Sequence, residues 1–181
     1  MQHIAFFRGI NVGGRNIAKM GDLKQLFLEL GFRNARTYIQ SGNVVFDAVE
    51  PPDSQAIQAA FTRRFGFESA VLLRSGDELR EIVRGMPFSS EEVERVQQEC
   101  PDVEHLYVFL SAEPIDAVRI QKITSAFNGR DKLILTAREA YLLCYESIRN
   151  AKLAAALGKP ALGLTARNMG VMHKLSELLN D

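Results

Sequence analysis

Two patterns alternate through the first half of the chain: short apolar runs, which predict strands, and apolar residues at helical spacing, which predict one-sided helices. The predicted strands cover residues 3–10, 35–40, 44–48 and 70–74. The predicted helices cover residues 22–30 and the stretch between Asp53 and Gly66. The order strand, helix, strand, strand, helix, strand is that of a ferredoxin-like βαββαβ unit.

The second half of the chain nearly repeats this order. Its predicted strands cover residues 104–110, 132–136 and 140–145, and its predicted helices run from near Pro114 to Phe127 and over residues 150–157 and 169–179. Residues 161–168 are predicted to be a loop, so the last strand is missing or replaced. We therefore predict an α+β fold of two ferredoxin-like subdomains, the second incomplete, plus a C-terminal helix. The predicted boundaries are 1–85, a helical linker over 86–103, and 104–181.

The hairpin in the first half predicts a specific strand register. Gly42-Asn43 is a favoured two-residue turn because both residues tolerate positive φ. Such a turn places Ile39 opposite Phe46, with both side chains on the core face.

The predicted topology brings two loops to one edge of the first sheet. Strands one and two run parallel with strand three between them, so the loop after Ile10 meets the turn at residues 41–43. The residues gathered there are donors, amides and glycines: Arg8, Asn11, Gly13, Gly14, Arg15, Asn16, Gln40, Ser41 and Asn43. The absence of carboxylates, histidines and cysteines suits a phosphate or carboxylate ligand and is ill suited to general acid–base catalysis.

Residues 9–16 nearly match the P-loop pattern of nucleotide-hydrolysing proteins. Arg15 stands where that pattern has lysine, and Asn16 replaces the hydroxyl that holds magnesium. We therefore favour a generic anion-binding loop over a nucleotide-hydrolysing one. The alternative is that the glycines simply permit a tight loop.

A third candidate segment, Thr165–Asn168, has two interpretations. Arg167 could meet the same anion, with Asn168 beside it, or Thr165 and Asn168 could only end a loop and cap the final helix. The residues leave both open.

Charge and composition narrow the function classes. Acidic and basic residues balance at 22 each, which argues against a broad nucleic-acid surface while leaving a local basic patch open. Cys100 and Cys144 are predicted to be reduced thiols, and the three histidines show no metal spacing. The chain shows no secretion signal and no apolar run of membrane-spanning length, which predicts a cytoplasmic protein without a membrane partner. No cofactor and no protein partner is identified, and a metal site is not predicted.

Three segments carry a resemblance to a known family: residues 8–14, 37–46 and 165–168, with the sequences RGINVGG, TYIQSGNVVF and TARN. Together they resemble a bacterial family catalogued as domain of unknown function 1697, over nearly the whole chain. The resemblance implies a two-subdomain α+β fold and no established activity. The family usually follows the Arg-Asn pair with an aromatic residue and, two places on, a threonine, where this chain has Met169 and Val171.

Two functions therefore stay open. The first is an uncharacterised protein, with or without catalytic activity, that binds a small anionic ligand or nucleotide in a donor-rich pocket. The second is a non-catalytic protein-interaction or structural module in which the same motifs only shape loops.

Overall fold

The computed structural model describes residues 1–179 and shows two compact units. The first comprises Met1–Glu81 with residues 174–179, and the second comprises Ile82–His173. The predicted boundaries differ from these units. They placed residues 86–103 in a linker and the whole C-terminal helix in the second subdomain. The Arg36 guanidinium donates to the carbonyl oxygen of Leu178, which helps to tie the end of that helix to the first unit.

The first unit is a four-stranded antiparallel sheet with helices between its strands. Its elements are β1 (Gln2–Phe7), α1 (Met20–Glu29), β2 (Arg33–Tyr38), β3 (Asn43–Asp47), α2 (Ser54–Phe65), β4 (Val71–Ser75) and the start of α3 (Gly76–Arg84). The strand order is β2-β3-β1-β4, so β3 lies between β2 and β1 as predicted.

The second unit repeats this architecture in full. Its elements are α4 (Ser90–Glu99), β5 (Leu106–Leu110), α5 (Ala117–Thr124), β6 (Lys132–Leu135), β7 (Glu139–Leu143), α6 (Lys152–Leu157), a 3₁₀ turn (Pro160–Leu162), β8 (Thr165–Asn168) and the start of α7 (Met169–Leu178). The strand order is β6-β7-β5-β8. The α+β, ferredoxin-like fold is therefore confirmed.

The predicted incompleteness of the second unit is wrong. Residues 165–168 form β8, which pairs antiparallel with β5 from Tyr107↔Asn168 to Leu110↔Thr165. The strand escaped prediction because its buried positions are the polar residues Thr165 and Arg167, so apolar alternation gives no signal.

Aromatic side chains fill the core of the first unit. Phe7 lies 4.8 Å from Phe61, and Phe27 lies 4.9 Å from Phe46, between ring centroids. Burying one such side chain contributes roughly 1.5–3 kcal/mol. The second core is mainly aliphatic and includes Phe109, Ile120, Leu142, Leu157 and Leu164.

Side chains cap the starts of several helices, and Asn168 is the cap predicted for the final one. The Asp53 side chain accepts from the Gln55 N–H at 2.8 Å, and Asn168 Oδ1 accepts from the Val171 N–H at 2.7 Å. Ser89 and Glu92 form a reciprocal capping box at the start of α4. Each cap satisfies an N–H group that the first turn of a helix leaves unpaired.

The hairpin between β2 and β3 has a different register from the predicted one. Thr37 pairs with Val44 and Tyr38 with Asn43, so residues 39–42 form a four-residue turn. Ile39 is 46% exposed with φ 49°, rather than facing the core. The pairing of the two strands is shifted by four residues from the predicted one. Because side chains alternate between the two faces of a strand, an even shift leaves each residue that is still in a strand on its predicted face.

Candidate functional site

The loop after β1 meets the β2–β3 turn at one edge of the first sheet. The Phe7 N–H donates to the Gly42 carbonyl oxygen at 2.8 Å, and Asn11 Nδ2 donates to the Gln40 carbonyl oxygen at 2.9 Å. Gly42 has φ 77°, and a Cβ there would lie 2.5 Å from Ile10 Cδ1. Only glycine therefore allows this approach. We call this edge, residues 8–19 and 39–43, the rim.

Side-chain amides hold the backbone of the rim in place. Asn11 donates to the Ala18 carbonyl oxygen at 2.9 Å and accepts from the Ala18 N–H at 2.8 Å. Asn16 Nδ2 donates to the Gly9 carbonyl oxygen at 3.2 Å. The fully buried Asn43 donates to the Tyr38 carbonyl oxygen at 3.1 Å and to the Ser41 hydroxyl at 2.9 Å. These amides position the loops, and their donors already have acceptors within the protein.

Gly13 and Gly14 form the tip of a small hairpin within the rim. Their φ values are 57° and 74°, and the Arg15 N–H donates to the Val12 carbonyl oxygen at 3.0 Å across them. Positive φ at both central residues is typical of a two-residue type I′ turn. Helix α1 begins only at Met20, so this loop does not lead directly into a helix as a P-loop does.

The cations of the rim lie at its surface. The side chains of the cations Arg15 and Lys19 and of the neutral Gln40 are exposed. Within residues 1–179 no hydrogen bond or ion pair engages the polar groups of these three side chains. Arg8 is half-buried, and its N–H donates to the Ala70 carbonyl oxygen at 3.0 Å. The rim contains no aspartate or glutamate, so its exposed cations lack a counter-charge of their own.

The remaining predicted site residues, Arg167 and Asn168, lie in β8 of the second unit. Arg167 pairs with Val108 and is 8% exposed. Burial lowers the pKa of its guanidinium to about 10, and Nη1 donates to the Ala166 carbonyl oxygen at 2.8 Å. Asn168 caps α7, as the second interpretation predicts. The predicted contact of Arg167 and Asn168 with an anion stays a prediction.

Sequence reasoning overlooked a cleft in the second unit. It measures about 1180 Å³ and is lined by the ends of α4, α5 and β7 and the start of α6. Its lining residues lie mostly in connections, which carry no periodic signal. The glycine and polar cluster Asn128-Gly129-Arg130 was the available hint.

Metal-binding clusters and membrane-spanning helices are both absent from residues 1–179. No group of three or more His, Cys, Asp or Glu side chains in this range is placed to hold a metal ion. No helix in the same range has the length and apolar character needed to cross a bilayer.

Comparison with known proteins places the chain in a family. The family described as "Protein of unknown function (DUF1697)" matches residues 1–141, and the chain belongs to it. A solved structure, that of the conserved bacterial protein SP0830 from Streptococcus pneumoniae, shares the fold with a TM-score of 0.73. It is 19% identical, and the alignment covers 98% of each chain. No curated protein matches the chain.

Proposed function

We propose that this member of the DUF1697 family binds a small anionic group, a phosphate or a carboxylate, at the rim of its first unit. One observation carries the proposal: the exposed cations Arg15 and Lys19 lie on a loop that contains no acids and whose backbone is hydrogen-bonded to the Asn11 side chain. A fixed loop loses little conformational freedom on binding, so more of the interaction energy is retained as affinity.

The donor set favours oxyanions over other ligands. The guanidinium of Arg15 can donate two parallel hydrogen bonds to one phosphate or carboxylate. The Lys19 ammonium adds charge, and the Gln40 amide adds a neutral donor from the neighbouring turn. Because these groups are exposed, salt screens the attraction over about 8 Å at physiological ionic strength. We therefore expect binding that weakens as salt is added.

Thermal unfolding at low ionic strength tests this proposal. Inorganic phosphate, sugar phosphates, nucleotides and small carboxylates are compared, and a ligand at one hundred times its Kd should stabilise the protein by about 2.7 kcal/mol. Arg15→Ala should remove the shift while leaving the unliganded melting temperature unchanged. Arg33→Ala is the control, because Arg33 is equally exposed but lies at the opposite end of β2 from the turn. No shift with any compound, or a full shift in Arg15→Ala, would contradict the proposal.

A second function, recognition of a protein partner, is favoured by the apolar side chains of the rim. Val12, Ile17 and Ile39 are 64%, 58% and 46% exposed. Exposed apolar residues beside cations suit a peptide that carries both apolar and acidic residues. Fluorescence polarisation with a labelled acidic amphipathic peptide would show binding that is lost in Val12→Ser/Ile17→Ser. Retention of the phosphate-induced shift in that variant would separate the two functions.

We further propose that the protein resides in the cytoplasm. Cys100 and Cys144 are both free thiols, which supports a reducing compartment. The supporting measurement is cell fractionation of the tagged full chain.

A further inference from the structure

The cleft of the second unit has the size and lining of a small-molecule site. Its volume of about 1180 Å³ slightly exceeds the roughly 300–1,000 Å³ typical of ligand pockets. All of its lining residues belong to the second unit. It is therefore separate from the rim, and a ligand could bind in the cleft whether or not the rim binds an anion.

Apolar side chains provide a hydrophobic lining for the cleft. Phe127 and Leu133 are half-buried and pack against the core of the second unit, and Leu153 is a buried member of that core. An apolar group placed on them would lose its contact with water, which contributes about 25 cal/mol for each Å² of apolar surface removed from solvent.

Three interactions connect the residues of one wall of the cleft. The guanidinium of Arg130 lies over the Tyr145 ring, 4.1 Å from its centroid, and pairs with the Glu99 carboxylate at 2.8 Å. The hydrogen bond from Arg130 lowers the pKa of Glu99, so the pair remains charged. The Asp131 carboxylate accepts from the main-chain N–H of Tyr145 at 2.9 Å, which positions the backbone of this residue. Arg130 and Glu99 compensate each other, and the Asp131 carboxylate is already engaged by a main-chain N–H, so this wall contributes mainly shape.

Opposite charges without internal partners line the same cleft. Lys152 and Glu146 are exposed, as is the amide of Asn150. Among the described residues no hydrogen bond or ion pair engages the Lys152 ammonium or the Glu146 carboxylate. Apart from Asp131, which accepts from a main-chain N–H, the cleft thus offers the Lys152 ammonium and the Glu146 carboxylate beside an apolar lining.

We propose that this cleft binds a small zwitterion with an apolar body: an apolar amino acid or a short apolar peptide with free ends. The apolar side chains pack on Phe127, Leu133 and Leu153. The ligand carboxylate pairs with Lys152 and accepts from Asn150, and the ligand ammonium pairs with Glu146. No covalent step is involved.

The test uses the full chain and the dipeptide Leu-Phe in four forms: both ends free, N-acetylated, C-amidated, and capped at both ends. Binding is followed by two-dimensional NMR titration. Pairs of exposed charges contribute roughly 0.2–1 kcal/mol each, so capping either end should weaken binding by about 1.4-fold to fivefold. Lys152→Gln should abolish the preference for a free carboxylate and leave the preference for a free amine. Glu146→Gln should do the reverse.

The controls are Lys159→Gln and Glu113→Gln, exposed residues outside the cleft lining, which should keep both preferences. The proposal is overturned if no form gives saturable shifts of cleft residues. It is equally overturned if the doubly capped dipeptide binds as tightly as the free one, or if the two cleft variants retain both preferences. Failure here leaves the phosphate test of the rim unaffected.

Discussion

The loop after the first strand closes on the hairpin turn in both units, but the two units achieve this by different means. In the second unit the loop is short, residues 111–116, and main-chain groups make two contacts to the turn. The Ser111 N–H donates to the Arg138 carbonyl oxygen at 2.9 Å, and the Ile115 N–H donates to the Ala137 carbonyl oxygen at 2.7 Å.

In the first unit the corresponding loop, residues 8–19, is twice as long. One main-chain contact runs from the Phe7 N–H to the Gly42 carbonyl oxygen at 2.8 Å. A side chain adds another, because Asn11 Nδ2 donates to the Gln40 carbonyl oxygen at 2.9 Å. The second unit shows that the fold closes without the added residues. The architecture therefore does not require the exposed cations of the longer loop, which supports the binding role proposed for them.

The largest effect that distinguishes the two turns is expected for Gly42→Val. The new side chain would be forced to φ 77° and into contact with Ile10, and strain and overpacking together should cost about 3 kcal/mol. Ala137→Val, at an exposed position of the other turn, should change stability by less than about 0.5 kcal/mol. Urea unfolding of both variants measures the difference, and equal losses would refute the special status of the first turn.

A smaller loss is expected for Asn11→Ala. Three hydrogen bonds disappear, and alanine tolerates φ 55° poorly, so the free energy of unfolding should fall by about 2 kcal/mol. Asn11→Gly retains the conformation and isolates the hydrogen-bond contribution. Glu113→Ala in the shorter loop is the matched control. An Asn11→Ala protein as stable as its parent would show that the amide does not hold the rim.

The caps that follow the last strand of each unit should be worth about 1 kcal/mol apiece. Ser75 Oγ accepts from the Glu78 N–H at 3.1 Å, and Asn168 Oδ1 accepts from the Val171 N–H at 2.7 Å. Ser75→Ala and Asn168→Ala should therefore lower the melting temperature by similar amounts. A loss confined to one variant would mean that the two helix starts are not equivalent.

The smallest effect concerns pH. Burial lowers the pKa of His3 below its usual 6.5. Below about pH 6.5 the unfolded chain therefore binds more protons than the folded one. The free energy of unfolding then decreases as the pH falls. Tyr107 occupies the matching register position in the second unit, and burial raises its pKa to about 12. His3→Phe should therefore flatten the stability profile between pH 7 and pH 5 relative to the parent. Parallel profiles would exclude His3 as the titrating group.

The two last strands also show how far sequence reasoning reaches. β4 was predicted from its apolar residues, and the structure buries Val71 and Leu72 among them. The buried positions of β8 are polar, so the same pattern is missing there. β4 and β8 nevertheless share another sequence feature. Each strand places a buried arginine directly before the capping residue, Arg74 before Ser75 and Arg167 before Asn168. Each arginine donates to the carbonyl oxygen of the preceding residue.

The rim was located correctly from topology, but its details were not predictable. Strand order alone brings the loop and the turn to one edge. The four-residue turn depends on the buried amide of Asn43 reaching back to Tyr38, a contact that residue spacing does not reveal. The binding role of the rim stays a prediction, as does the cleft proposal, whose residues come from two connections, from β6 and from the start of α6.

A single carboxylate joins two structural tasks at helix α4. Glu92 Oε2 accepts from the Ser89 N–H at 3.0 Å and starts the helix, while Oε1 accepts from Lys132 at 2.5 Å and fastens the helix to β6. The Lys132 hydrogen bond, followed by the Ser89 N–H, lowers the pKa of Glu92 to about 2. Both tasks therefore persist above pH 4.5 and weaken as the pH falls toward 2. Protonation of the Glu92 carboxylate weakens both contacts at once. Strong acid should therefore fray the start of α4 and release the helix from β6 together.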